Sequence, residues 1–230
     1  MILLALAAFG VLVYRLAPPS RTVIHLTPSL ELQNAMETFS DSGVTGKSWV
    51  HLLHRDSPID AMLYLDAPAE KDSWAGFGWL LHESNWSFMD TLYVEARAEG
   101  FDEIQFKILT FDPDHTNRQD RSTYRQLSKE IPVTREWQTL QIPTNDFYIP
   151  DWWYKQQGVD PKLDSKHLEK VYRLDIQPSD QAPRFVPLHL EIRSVTVVGS
   201  SSRNTAILLG YLFILMLTTL GTNPHKRVLG

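Results

Sequence analysis

The chain has 230 residues, of which 43% are apolar and 21% charged, with a formal net charge of −5 and no cysteine. These values exclude a disordered, collagen-like or coiled-coil chain, and equally a disulfide framework or a zinc-thiolate site. A mean hydropathy of −0.22 excludes a polytopic transporter, and the negative charge disfavours a nucleic-acid binder.

In chain order, residues 1–14 carry no charge and include Leu3, Leu4, Leu6, Phe9, Val11, Leu12 and Val13. As a helix they would span about 21 Å, short of the roughly 30 Å hydrocarbon core. Extension through Arg15, whose side chain can snorkel, to Ala17 brings the run nearer to a crossing, and Pro18 and Pro19 then stop it. A cleaved signal peptide is the rival reading, but there is no basic n-region and no A-x-A-like site stands at the end of the run. Segment 1–17 is therefore expected to be a retained N-terminal transmembrane anchor.

The stretch from 22 to 204 holds 27 acidic and 18 basic residues, a balance of −9. That charge argues against a groove for phosphates and against docking on anionic headgroups. Ser29 is placed to cap a short helix through Leu30, Leu32, Ala35, Met36 and Phe39. Strands are expected at 48–53, 59–65, 74–81 and 137–142. Period-2 alternation marks four more. Leu92, Val94 and Ala96 alternate with Tyr93, Glu95 and Arg97, and Ile104, Phe106 and Ile108 with Glu103, Gln105 and Lys107. Further on, Tyr172, Leu174 and Ile176 alternate with Val171, Arg173 and Asp175, and Leu188, Leu190 and Ile192 with His189, Glu191 and Arg193. The phase slips between Ile192 and Val195, as a bulge near Ser194 would cause. Residues 161–168 read as a further helical turn or two. Eight or nine short strands with little helix predict one antiparallel β-sandwich over 22–199, with short tethers at 18–29 and 199–204.

Within this domain His51 and His54 lie on a strand candidate, where three apart means opposite faces, and no third ligand stands at a zinc-like interval. The acidic loop 112–120 departs from the EF-hand pattern at Asn117 and Thr123, so it reads as a solvated loop, with a structural calcium as the alternative. No G-x-S-x-G elbow, P-loop or dinucleotide glycine fingerprint occurs. The chain is therefore not read as an enzyme; a glycan-active enzyme would need two carboxylates facing each other in a deep cleft.

The positive signal is aromatic. The chain has eight tyrosines, and its seven tryptophans (Trp49, Trp74, Trp79, Trp86, Trp137, Trp152 and Trp153) spread across the domain. An exposed ring can stack on the apolar face of a pyranose while charged and amide groups bind its hydroxyls; a buried ring serves the core. Trp137 is assigned to the core. Trp152, Trp153 and Tyr154 are consecutive, and in extended chain they cannot all face inward. At least one then stands at a loop lip or against a ligand. The candidate ligand-binding residues are Trp79, Tyr124, Arg125, Trp152 and Trp153, with no metal and no cofactor.

Residues 205–221 form a second uncharged apolar run of 17 residues, the lower limit for a membrane span, followed by the short basic tail 222–230. Two spans would put the whole middle on one side of the membrane. Lys226 and Arg227 favour a cytoplasmic C-terminus, while Arg15, Arg21 and Arg203 flank the long loop and weigh less. The middle is therefore expected outside the cytoplasm, and nine residues after Gly221 are too few for an output domain.

From Tyr124 to Val198 the order of motifs is Tyr124-Arg125, Glu136-Trp137-Gln138, Ile142-Pro143 with Asp146-Phe147, Ile149-Pro150-Asp151-Trp152-Trp153, and a closing strand over 188–198. This order resembles the galactose-binding-like jelly roll shared by family 11 carbohydrate-binding modules and the complex I intermediate-associated protein family. The Pro-x-Trp-Trp element is similar to extracytoplasmic sensor regions of bacterial membrane signalling proteins, among them diguanylate cyclases and histidine kinases. The resemblance implies a mainly β, antiparallel jelly-roll β-sandwich flanked by two transmembrane helices. By position, Tyr124 and Arg125 would lie near a concave face, Phe147 in the core, and Trp152 and Trp153 in the excursion after it. It further implies a saccharide-binding, sensor-type module in a bacterial inner membrane with its main domain in the periplasm. Its partners would be a saccharide or other small polar ligand, the lipid bilayer and a membrane signalling protein, with no nucleic acid. The alternative is a structural or assembly protein whose sandwich docks another membrane protein.

Overall fold

Strands with one apolar and one polar edge bury the apolar edge by pairing face to face, and the alternating segments do so here. In the computed structural model, which describes residues 21–27, 32, 34–68, 71–162, 165–200 and 209–216, eleven strands form two sheets. They are β1 (Arg21–His25), β2 (Met36–Ser40), β3 (Trp49–His54), β4 (Ile59–Tyr64), β5 (Ala75–Ser84), β6 (Met89–Glu99), β7 (Glu103–Thr110), β8 (Arg125–Pro132), β9 (Gln138–Pro143), β10 (Val171–Pro178) and β11 (Pro187–Ser200). The six-stranded sheet has the order β3-β4-β11-β6-β9, with β1 also on β11. The five-stranded sheet has the order β2-β5-β10-β7-β8, and its neighbours pair antiparallel. Sequence neighbours are often not sheet neighbours, so the chain crosses repeatedly between layers and closes one core.

That core is the alternation made physical. Ile59, Ala61 and Leu63 of β4, Leu92, Val94 and Ala96 of β6, and Leu188, Leu190 and Ile192 of β11 are buried from one side. Phe77 and Trp79 of β5, Ile104, Phe106 and Ile108 of β7, and Leu174 and Ile176 of β10 close it from the other. The slip after Ile192 is present: Ile192 and Val195 are both buried, with two less buried residues between them. There β11 leaves its β4 register, which ends at the Ile192–Ile59 pair, and the Leu26 N–H donates to the Val195 carbonyl at 2.8 Å. One long strand thus serves two partners in succession, and the added residue is what re-phases it.

One helical expectation is shortened and another replaced. In the segment expected to be helical at 30–39, Leu32 and Asn34 are helical and Ala35 is a turn, but the chain is strand from Met36 onward, because Met36 to Ser40 pair with Trp79 to Ala75 of β5 and Met36 enters the core; Ser29 lies outside the described residues. Residues 161–168 hold no helix among those described, only a 3-10 turn at Leu168–Lys170. A helix that was not expected, α1, spans Asp151–Gln157. Pro150, held near φ −62°, starts it, and the Trp153 N–H donates to the Pro150 carbonyl at 2.9 Å. Gly158 ends it at φ 66°, a left-handed position where a Cβ is costly.

The sandwich occupies 23–198; the remaining residues, 1–22 and 199–230, group separately. Of the two expected membrane segments, 1–17 lies outside the described residues, and within 205–221 only 209–216 are described, as helix. No helix among the described residues is long and apolar enough to cross a membrane.

Candidate functional site

The polar edges of β7, β8 and β10 point away from the core and floor an open groove of about 830 Å3 on the five-stranded sheet. Gln105 and Lys107 of β7, Gln126 and Ser128 of β8, and Asp175 and Gln177 of β10 form this floor. They are the residues between Ile104, Phe106 and Ile108, and around Leu174 and Ile176, that the period of two requires to face outward.

Each bank is built by a different device. On the β8 side, Tyr148 and Ser128 exchange backbone hydrogen bonds at 2.7 and 3.0 Å, which ties the segment before α1 to the sheet edge. Helix α1 then presents Trp152 and Gln156, four apart and on one face, to the groove. At the β2 side stand Phe39 and Trp74. Trp74 is anchored through its backbone: the buried Asp41 carboxylate accepts from the Trp74 N–H at 3.3 Å and from Ser48 N–H and Oγ at 2.9 Å each. Gly78 on β5 keeps this side low. A Cβ there would lie 2.3 Å from the Leu174 carbonyl oxygen and 2.1 Å from an Asp175 carboxylate oxygen, so only a glycine lets Asp175 lie across the strand.

The floor is charged and tightly paired. Arg173 binds Asp175 and donates to Glu37 at 2.8 Å, and its guanidinium lies 5.2 Å over the Phe39 ring. Burial pushes the Asp175 carboxyl up to about 6, against the opposing pull of Arg173. Burial likewise holds the Lys107 ammonium below its usual value, although Asp180, Asp175, Glu130 and Asp72 all act to raise it. Tyr148 donates to Glu130, and burial together with that carboxylate raises its hydroxyl to about 12, so it stays a donor.

One pH effect follows. Asp175 faces Arg173 on its own strand, Lys107 across on β7 and Gly78 on β5, with Glu37 of β2 reached through Arg173. Its folded pKa lies above the ordinary carboxyl value of about 3.9, so the folded protein binds the proton first. Stability should therefore rise as pH falls from 7 to 5, by about 1 kcal/mol and a few degrees in Tm. Thermal melts of the wild type against Asp175→Asn test this: the variant should lack the increment.

Of the five residues read from sequence as ligand-binding, only Trp152 lines the groove, at 49% exposure. Trp79 is fully buried between the sheets, packed edge-on against Phe77 at 6.0 Å. Trp153 is fully buried beneath α1, where its indole N–H donates to the Tyr124 carbonyl at 2.8 Å. The tryptophan pair divides because it is helical rather than extended, so consecutive side chains diverge by about 100°. Tyr124 is buried against Tyr172, with ring centroids 4.4 Å apart. Arg125 is buried too. It binds Asp112, donates to the Ser165 carbonyl at 2.8 Å, and lies 4.9 Å over the Trp153 ring. Trp153, Tyr124 and Arg125 support the α1 bank from below, Trp79 belongs to the core, and none of the four lines the groove.

Other expectations are corrected or located. Trp137 is not in the core; it is half-buried on the outer face of the six-stranded sheet, with Arg193 and Arg97 at 4.1 and 5.0 Å from its ring. Phe147 is buried in the core. In the loop after β7, the Asp112 carboxylate is committed to Arg125 and to the Asp114 N–H. No group of three metal-ligating side chains is found among the described residues. Trp74, Phe39, Tyr148 and the floor residues were not singled out in the sequence. Alternation exposes Gln105, Lys107 and Asp175, but nothing local says which sheet carries the groove.

The architecture is an antiparallel two-sheet β-sandwich whose fold is similar to that of family 11 carbohydrate-binding modules. The family 11 module of the cellulosomal cellulase Lic26A-Cel5E of Clostridium thermocellum superposes with a TM-score of 0.55 at 12% identity, covering 80% of this chain and 97% of that one. The family 11 module from Clostridium thermocellum in complex with a beta-1,3-1,4-mixed-linked tetrasaccharide superposes with a TM-score of 0.54 at 13% identity, covering 80% of this chain and 98% of that one. No protein-family model and no curated protein sequence matches the chain.

Proposed function

We propose that the chain is a carbohydrate-binding domain whose groove on the five-stranded sheet takes a saccharide by stacking and hydrogen bonding, without covalent chemistry. The observation that carries this is the groove's composition. Trp152 and Tyr148 on one bank and Trp74 and Phe39 on the other flank a floor of amides, carboxylates and a lysine. Aromatic rings beside directional polar groups suit a hydroxylated ring with an apolar face, whereas a protein-docking surface would be a broad apolar patch. The likeness in fold to carbohydrate-binding modules, one of them holding a mixed-linked tetrasaccharide, supports the same reading.

The uncharged runs at 1–17 and 205–221 extend the proposal. The domain is held at a bacterial inner membrane, on its periplasmic side, and its ligand acts by biasing the positions of the two flanking segments for a membrane signalling partner. Such a bias needs unequal affinity for two states. A glycan array probed with the full chain tests the binding reading. Retention of saccharides by the wild type, lost in Trp74→Ala/Trp152→Ala at unchanged Tm, is the expected result. Retention unaffected by the double variant would place any binding elsewhere.

A further inference from the structure

The groove floor contains a hydrogen-bond acceptor that none of the described residues uses. Tyr148 Oη donates to both Glu130 oxygens at 3.0 and 3.1 Å, and Gln105 Nε2 donates to Glu130 at 2.6 Å. An ionised carboxylate only accepts, so the Gln105 amide is pinned with its nitrogen toward Glu130 and its oxygen toward Gln177. Gln177 Nε2 donates to that oxygen at 2.8 Å. The chain of constraints ends at Gln177 Oε1, which is buried and has no partner among the described residues. Gln177 is only 1% exposed and lines the groove. An acceptor fixed in orientation, out of bulk water and unmet, is complementary to a donor brought by the ligand.

Across the ladder Gln177 pairs with Gln105 and Asp175 with Lys107, so Gln177 and Lys107 are diagonal neighbours on adjoining strands. Their backbones lie about 7–8 Å apart, close enough for both side chains to reach one sugar ring. The Lys107 ammonium makes no hydrogen bond or ion pair among the described residues, and it offers donors where Gln177 offers an acceptor. The field around this pair is negative. Asp72, Asp175 and Asp180 line the groove and Glu130 stands behind Tyr148, and all four act on Lys107. Arg121, the guanidinium that lines the groove, pairs with Glu37 at 3.4 Å, and Arg173 beside the floor binds Asp175 and Glu37 while its Nη2 has no partner among the described residues.

We propose that the floor selects uncharged, hydroxyl-bearing sugar rings and rejects uronate or sulfated ones, with Gln177 Oε1 accepting from a ring hydroxyl and Lys107 Nζ donating to an adjacent ring oxygen. A neutral ring satisfies both groups, whereas an acidic ring brings a second anion against Asp72 and Asp180, and like charges brought together suppress the wrong ligand. This inference rests on the groove being a glycan site.

The test is affinity electrophoresis of the full chain through gels containing neutral polysaccharides (mixed-linked β-glucan, galactomannan, xyloglucan) or acidic ones (polygalacturonate, alginate, carrageenan). Calorimetry on the oligosaccharides of any that retard it follows. Retardation by neutral polymers, at least tenfold tighter than by any acidic polymer, is expected. Gln177→Leu should lose at least tenfold on the neutral ligand at unchanged Tm. Asp72→Asn/Asp180→Asn, at the groove mouth, should leave neutral binding within about threefold and gain binding to polygalacturonate. Equal or tighter binding of acidic polymers by the wild type, or a neutral affinity indifferent to Gln177→Leu, overturns the selectivity while leaving the glycan reading in place. Retardation by none of the polymers overturns both.

Discussion

Trp153→Ala should destabilise the domain by about 3–5 kcal/mol, while its neighbour Trp152→Ala should cost little stability and at least tenfold in saccharide affinity. The first magnitude is that of emptying a large buried site. Trp153 is fully buried, its indole N–H is bonded to the Tyr124 carbonyl, and Arg125 stacks on its ring. Removing it opens a cavity and strands the guanidinium above it. Trp152 is half-exposed and turned to the groove, so its loss removes a stacking platform and leaves the core intact. Denaturant melts and calorimetric titration of both variants, side by side, separate the roles. Equal loss of stability in the two would mean that α1 does not divide them.

Arg125→Met is expected to cost about 3–5 kcal/mol, the range for breaking one side of a buried ion pair. Both partners are 2% exposed, and Asp112 would remain buried and uncompensated. Arg125→Met/Asp112→Leu should recover most of the loss, because the expense lies in the orphaned charge rather than in the absence of the pair. The pH dependence carries the same signature. Burial alone would raise the Asp112 carboxyl, but the Asp114 N–H and Arg125 outweigh it and hold it below the ordinary value. A depressed folded pKa gives stability that is complete above the unfolded value near 4 and is lost as pH falls through the folded one. Acid unfolding should therefore begin at higher pH in Arg125→Met than in the wild type. Stability insensitive to Arg125→Met would show that the pair contributes nothing to holding the loop after β7 against β8.

The strands with unbroken alternation were legible because a residue's side of a sheet is fixed by parity alone. Ile104, Phe106 and Ile108 point inward and Gln105 and Lys107 outward wherever the sheet packs. Even the slip at Ser194 was readable, since two inward residues three apart cannot occupy one regular strand. Met36 to Phe39 were misread because their spacing suits a helix face, and only pairing with β5 makes them strand. Trp152 and Trp153 were singled out together because their composition suggested a ligand; the turn set by Pro150 and Gly158 sends one outward and the other inward. Trp74 carried no local mark at all, since its place on the groove depends on Asp41, which is distant in sequence and buried.

What the sequence determined by itself is therefore the layer pattern: an antiparallel sandwich, rich in acid, with a polar outer face on each sheet and uncharged runs at its ends. Those follow from side-chain period and from counts of charge, which need no partner. The tertiary structure alone decided which outer face is concave, which aromatics stand on its banks and which amide is left unmet. These depend on distances between residues far apart in the chain, and periodicity within a strand carries no information about its neighbours.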